Sequence, residues 1–199
     1  MARVAVDVVL LPEADMAEQA IALNQALVEK HGSDIVLDRA HCLPHVSLAM
    51  GCIQSDALQA IASDLQSAMR KNPVKKLHLR HLTHNHHGGA VVSSIELQVR
   101  EDLQQLHVQV MRAMAPYSSY EVTEAMFTGE RPIAPSALNW VQNFPQQSSG
   151  DRFQPHITLG YGPCAQAELP ATFAPEALAV CHLGNHCTCR KVLHRLPCQ

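Results

Sequence analysis

One five-residue pattern occurs twice in the chain: proline, histidine, an aliphatic, a small hydroxyl residue, an aliphatic. The copies are Pro44-His45-Val46-Ser47-Leu48 and Pro155-His156-Ile157-Thr158-Leu159. Successive side chains of a β-strand point to opposite faces. Each copy therefore sets an imidazole beside a hydroxyl on one face and aliphatics on the other. The aliphatic face needs a core behind it, and the polar face needs an opening in front. A fold that satisfies both copies contains two half-buried strands able to aim two histidine/hydroxyl pairs at one groove. No other strong internal repeat accompanies them.

The rest of the chain can supply that core. Its 199 residues fit one ordinary domain or two small, closely packed lobes, and 47% of them are hydrophobic. A net charge of −3 gives no global attraction for nucleic acid and leaves only local basic patches to act. Seven cysteines, odd in number and scattered, read as reduced thiols of a cytoplasmic protein. The apolar run Val4 to Leu11 is interrupted by Asp7 and followed by an acidic helix, so it is not read as a signal peptide, and no stretch has the length of a membrane span.

Periodicity predicts an α+β chain with mainly antiparallel sheet. Arg3 to Leu11 reads as a buried strand. Glu13 to Lys30 reads as a helix with Ala17, Ala20, Ile21, Leu27 and Val28 inward, and Ile35 to Leu37 as a short strand. The first motif strand is expected over His45 to Ile53. A helix follows with Leu58, Ile61, Ala62, Leu65, Ala68 and Met69 at helical spacing, Ser55 as N-cap and Pro73 as stop. Lys75 to Thr83 and Ala90 to Val99 read as strands joined by an Asn85-His86-His87-Gly88-Gly89 loop. Val91, Ser93, Ile95, Leu97 and Val99 are expected on one face. A third helix runs from Glu101 to about Ala115, with Leu103, Leu106, Val110, Ala113 and Met114 inward. Between Tyr117 and Arg152 the pattern is least regular: a strand over Val122 to Thr128, a turn or lid at Gly129-Glu130-Arg131-Pro132, a short helix from Ser136 to Asn143, and a polar loop from Gln146 to Gly150. His156 to Tyr161 is the second motif strand. Leu178 to Leu183 and Thr188 to Leu196 form a closing hairpin that turns at Gly184-Asn185.

Two histidines on one groove can divide acid and base work. A neutral imidazole takes a proton from an attacking hydroxyl or water, and an imidazolium gives one to the leaving oxygen; a pKa near ~6.5 makes both forms available. Phosphodiester cleavage needs this division because an alkoxide is a poor leaving group. It also needs donors for the non-bridging oxygens, which Ser47 and Thr158 can supply. The scheme requires no metal and no cofactor.

These residues resemble the 2H phosphoesterase superfamily, the LigT-like group of 2′-5′ RNA ligases and cyclic phosphodiesterases, which is defined by two His-x-Ser/Thr-x motifs. His45-Val46-Ser47-Leu48 and His156-Ile157-Thr158-Leu159 carry the resemblance. Arg152 to Gly160 and the Leu183-Gly184-Asn185 turn with Cys187 to Leu193 extend it, while Tyr117 to Gly150 has no match. The resemblance implies a bilobal α+β fold spanning residues 1–199 as one domain of two lobes around a central cleft. It implies His45 and His156 as catalytic residues and Ser47 and Thr158 as phosphate-binding residues. The implied substrate is a nucleotide or RNA end carrying a 2′,3′-cyclic or 2′-5′ phosphodiester, with no obligate protein partner and no membrane. Hydrolysis, the reverse reaction that joins RNA ends, and nucleotide binding without turnover all remain open, as does which histidine is the base.

Other clusters compete less well. His84, His86 and His87, and the group Cys181, His182, His186, Cys187 and Cys189, invite a metal reading. The first lacks a fixed carboxylate or cysteine partner, and the second lacks paired two-residue-gap spacing. Cys187 and Cys189 are expected on one strand face as small core residues. Arg70, Lys71, Lys75, Lys76 and Arg80 form the densest basic run, and Arg131 is a possible phosphate clamp; both also read as plain surface. Phe153, Tyr161 and Trp140 can stack on a base, with core packing as the default.

Overall fold

The computed structural model describes residues 2–32, 34–87, 89–129 and 131–198, and only the backbone of His87. Gly88 of the expected hairpin loop, the His87 side chain and Glu130 of the expected lid lie outside the described residues.

Among the described residues, eight strands form two four-stranded antiparallel sheets. The first takes β1 (Arg3–Pro12), β2 (Val46–Gln54), β7 (Pro175–Leu183) and β8 (Cys189–Pro197) in the order β2-β1-β7-β8. The second takes β3 (Leu77–His87), β4 (Ala90–Leu97), β5 (His156–Tyr161) and the two-residue β6 (Thr172–Phe173) in the order β5-β4-β3-β6. Four helices complete the fold: α1 (Ala14–His31), α2 (Leu58–Lys71), α3 (Glu101–Met114) and α4 (Pro135–Gln147). The architecture is α+β and agrees with the two-lobed arrangement expected. Each motif lies on an edge strand, and the two edges, β2 and β5, approach one another.

The largest core cluster joins both sheets. Val6, Val8, Leu10, Val46 and Leu48 of the first pack in one continuous group with Ile95, Leu97, Ile157 and Leu159 of the second and with the inner stripes of α2 and α3. Such burial, at about 25 cal/mol per Å² of apolar surface, sets the position of each edge strand. A second cluster, built on Phe127, Ile133, Ala137, Val141 and Phe144, seats α4 on the other face of the first sheet. Among the described residues no helix is long and apolar enough to cross a membrane.

Several elements differ from expectation. Residues 35–37 form no strand: Asn24 of α1 satisfies their backbone, donating to Ile35 O at 2.8 Å and accepting from Leu37 N at 2.7 Å. The buried face of α1 accordingly comprises Met16, Ala20, Asn24 and Leu27, while Ala17, Ile21 and Val28 are half-buried. Ser55 does not cap α2 with its side chain; it opens a 3-10 turn, Ser55–Ala57, and the helix starts after Ala57. Strand β3 continues through Asn85 and His86, which the loop reading had left unpaired, because both pair with β4. The pairing of β4 with β5 shifts register between Ser93 and Ser94, where Leu159 of β5 has no residue opposite; both serines are buried, and Val99 lies outside the strand, exposed. Residues 122–128 hold a 3-10 turn, Glu124–Met126, in place of a strand. Helix α4 extends to Gln147 into the expected polar loop. Cys187 lies in the 3-10 turn Asn185–Cys187, off the strand that begins at Cys189, so the two cysteines do not share a strand face.

Candidate active site

The two motifs have the same burial pattern. Pro44, Val46 and Leu48 are buried while Ser47 keeps partial exposure and the His45 side chain only 14%; Pro155, Ile157 and Leu159 are buried while His156 and Thr158 keep partial exposure. The proline has a local role in each. It biases the preceding residue toward extended backbone, and in both copies that residue's carbonyl meets the histidine. His45 Nδ1 bonds Leu43 O at 2.7 Å, and His156 Nδ1 bonds Gln154 O at 2.8 Å. A carbonyl only accepts, so Nδ1 carries the hydrogen in both rings and Nε2 is the nitrogen left for chemistry.

The histidines differ in environment. Burial is the main cause that lowers the His45 pKa from 6.5 to about 4, opposed by its bond to Leu43 and assisted by the charge of His156. His45 is therefore neutral at pH 7, with its Nε2 lone pair available.

The hydroxyls differ as well. Ser47 Oγ donates to Asp7 Oδ2 at 2.6 Å, whereas Thr158 has no side-chain hydrogen bond among the described residues. Asp7 sits in the middle of β1, completely buried, with Oδ2 3.7 Å from His45 Nε2 and Oδ1 without a partner. Burial holds its carboxyl well above the usual carboxylate range, only partly offset by the Ser47 bond. The sequence reading treated Asp7 merely as an interruption in an apolar run. A charged residue inside a β-branched buried strand was the available signal, since such a residue is seldom buried without a task.

Across the second motif, strand pairing sets Glu96 opposite His156 and Ser94 opposite Thr158; Glu96 in turn faces His81, and Ser94 faces Thr83. Directly paired residues lie on one face. His156, Thr158, Ser94, Glu96, His81 and Thr83 thus form one polar wall, with Glu96 3.5 Å from His81 and 3.9 Å from Arg80.

Two further histidines hold the motifs in place. His107 of α3 is fully buried; its Nδ1 donates to Leu48 O at 2.8 Å, and its Nε2 accepts from Gly150 N at 3.1 Å. Phe153 stacks on it at 4.0 Å with ring planes 3° apart, which removes Phe153 from base stacking. His186 bonds the Tyr161 hydroxyl at 2.8 Å and lies 3.6 Å from Asp34. It and Cys187 have φ of 57° and 54°, a left-handed conformation that costs about 1–3 kcal/mol per residue and is held by the Asn185 side chain bonding Ala134 N and His186 N. Trp140 packs against the α4 cluster.

A groove of about 1270 Å³ adjoins the first motif. Leu43 and Pro44 line it, whereas neither motif histidine does. Arg39, Arg190, Lys191 and Arg195 contribute cationic side chains. Arg39 pairs with Glu18, and Arg195 with Glu176 at 2.8 Å. These residues, rather than the exposed run Arg70 to Arg80, form the basic surface next to the first motif.

Two sheets sharing a core, with a histidine/hydroxyl pair on each facing edge, define the class of two-histidine phosphoesterase folds. The chain belongs to the 2′-5′ RNA ligase superfamily: the family model of that description matches residues 12–183. Comparison with curated proteins returned no match.

Proposed function

We propose that the protein is a metal-independent phosphodiesterase that opens 2′,3′-cyclic or 2′-5′ phosphodiester bonds of nucleotides or RNA ends. The observation that carries this reading is the pair of matched imidazoles, each with Nδ1 bonded to the carbonyl two residues earlier. His45, neutral through burial, is the base: its Nε2 takes a proton from water as the water oxygen bonds to phosphorus. The bond from phosphorus to one ribose oxygen breaks, and His156 Nε2 donates a proton to that oxygen. Thr158 donates to a non-bridging oxygen. Ser47 does the same once the Asp7 carboxyl holds a proton and donates it to Ser47 Oγ, which frees the hydroxyl hydrogen for the phosphate. Arg190 and Lys191 offer cations along the groove for the chain beyond the reacting phosphate. The seven unpaired cysteines support a reducing, cytoplasmic setting.

When a 5′-hydroxyl replaces water as the nucleophile on a 2′,3′-cyclic phosphate, the same residues form a 2′-5′ bond as the phosphorus–O3′ bond breaks, so ligation is the alternative outcome. The test is turnover of 2′,3′-cyclic nucleotides and 2′-5′ dinucleotides with EDTA present. Both His45→Ala and His156→Ala are expected to lose at least about 100-fold, and a variant that keeps wild-type turnover overturns the site. Incubating cyclic-phosphate ends with 5′-hydroxyl ends and looking for 2′-5′ product separates the directions. Tight nucleotide binding without any turnover would leave a binding module.

A further inference from the structure

Asp7, His45 and Cys189 bring a carboxylate oxygen, an imidazole nitrogen and a thiol sulfur within 4.8 Å of one another, the one such trio found among the described residues. They come from three places in the chain. Asp7 is mid-strand in β1, His45 precedes β2, and Cys189 begins β8. A backbone bond from Leu43 N to Cys189 O, 3.1 Å long, draws the His45 segment onto β8. Asp7 and Cys189 both fall outside the stretch matched by the family model.

Three observations point to a cation. The Asp7 carboxyl is wholly buried, Oδ1 has no partner, and no lysine or arginine neutralises it among the described residues. A buried carboxylate is costly unless a positive charge meets it. The His45 Nδ1–H donates to Leu43 O, the outer contact that fixes a metal-binding imidazole with Nε2 as ligand. Oxygen, nitrogen and sulfur together suit zinc, whereas magnesium and calcium take oxygen ligands. Three protein ligands leave a fourth position for water.

We propose that Asp7, His45 and Cys189 form a zinc site that silences the enzyme by occupying Nε2 of His45. Binding displaces the Cys189 thiol proton, and the Asp7 proton where one is present, into solvent; no group changes oxidation state. The silencing rests on the phosphodiesterase reading above, and the metal binding does not.

The full-length protein, stripped with EDTA and dialysed, is titrated with Co2+ and separately loaded with Zn2+. One equivalent of cobalt is expected to give a thiolate-to-cobalt charge-transfer band. X-ray absorption of the zinc form is expected to show one sulfur near ~2.3 Å and nitrogen or oxygen near ~2.0 Å. A zinc shell without sulfur overturns the proposal with no variant needed. Cys189→Ala and Asp7→Asn are expected to weaken binding by at least about 10-fold, the smallest loss seen when even an outer-shell partner is removed. His84→Asn is expected to leave binding unchanged. Unchanged affinity in Cys189→Ala, or loss in His84→Asn, overturns the site. Zinc-loaded protein that turns over substrate as fast as the stripped form overturns the silencing. Stripped protein that binds cobalt with the expected spectrum yet cleaves no phosphodiester supports the metal site and refutes the phosphodiesterase reading alone.

Discussion

His107 and Leu48 are joined by a buried hydrogen bond of 2.8 Å, from the imidazole Nδ1–H to the carbonyl that ends the first motif. Because the other ring nitrogen accepts from Gly150 N, His107 ties the first motif strand to the segment that leads into the second. Only the neutral ring can do both, since an imidazolium has no acceptor. Burial lowers the His107 pKa and keeps it in that form. Replacing His107 with Ala removes one buried and one partly buried hydrogen bond and the Phe153 stack, at an expected cost of about 2–4 kcal/mol. Chemical denaturation measures the loss. His107→Gln, which keeps a donor and an acceptor, is expected to recover part of it.

Acid is expected to destabilise the protein through His45. An unfolded histidine titrates at 6.5, whereas His45 does so at about 4 in the fold, so the unfolded state binds more protons between those values. Stability therefore rises with pH across that window: the contribution is complete above about 6.5 and is lost as pH falls toward 4, by up to about 3 kcal/mol. His107, lowered in the same direction, adds to the slope. Asp7 acts oppositely, since its raised pKa makes the folded state bind more protons and costs stability as pH rises past the ordinary carboxylate range. Urea denaturation at several pH values is expected to show a shallower acid slope in His45→Phe than in the native protein.

Catalysis carries the same signature. The acid limb of kcat/KM is expected near pH 4, not near 6.5, under the proposal that His45 is the base. A limb at 6.5 would reassign the base.

The two hydroxyls are expected to respond differently. Thr158→Ala should lower kcat/KM by about 10- to 100-fold through loss of one phosphate donor, with little change in stability. Ser47→Ala removes the one hydrogen bond that the buried Asp7 carboxyl makes among the described residues and is expected to cost about 1–3 kcal/mol as well as activity. Paired kinetic and denaturation measurements separate the effects.

Asn24 fixes the second motif from behind. Its Nδ2 donates to Leu159 O at 2.6 Å, on the edge of β5 that no strand covers, and to Ile35 O. Asn24→Leu removes both of these side-chain bonds and the one accepted from Leu37 N, and is expected to cost about 2–4 kcal/mol. Hydrogen exchange is expected to show faster opening around residue 37.

Much of the fold was legible in local pattern. The second motif strand falls on His156–Tyr161 as expected, α3 starts at its acidic first turn and ends before Pro116, and α2 ends before Pro73, although it begins past the Ser55 expected to cap it. The errors share a cause. Ile35 to Leu37 look like a strand because they are apolar, yet their hydrogen-bond partner is a side chain from α1. Val99 continues the apolar alternation of β4, yet the strand's pairing ends at Leu97 and leaves it exposed.

The sequence by itself determined the two histidine/hydroxyl strands. A period-two alternation, with proline before each histidine, dictates which side chains meet a core and which do not. Only the tertiary structure decided what surrounds them. Asp7 and Cys189 lie 182 positions apart and reach His45 because β1 pairs with β2 and β7, and β7 with β8. The difference between the histidines is likewise tertiary, since burial is a property of the packed chain. Local geometry is written in neighbours along the sequence; electrostatic environment is written in neighbours across space.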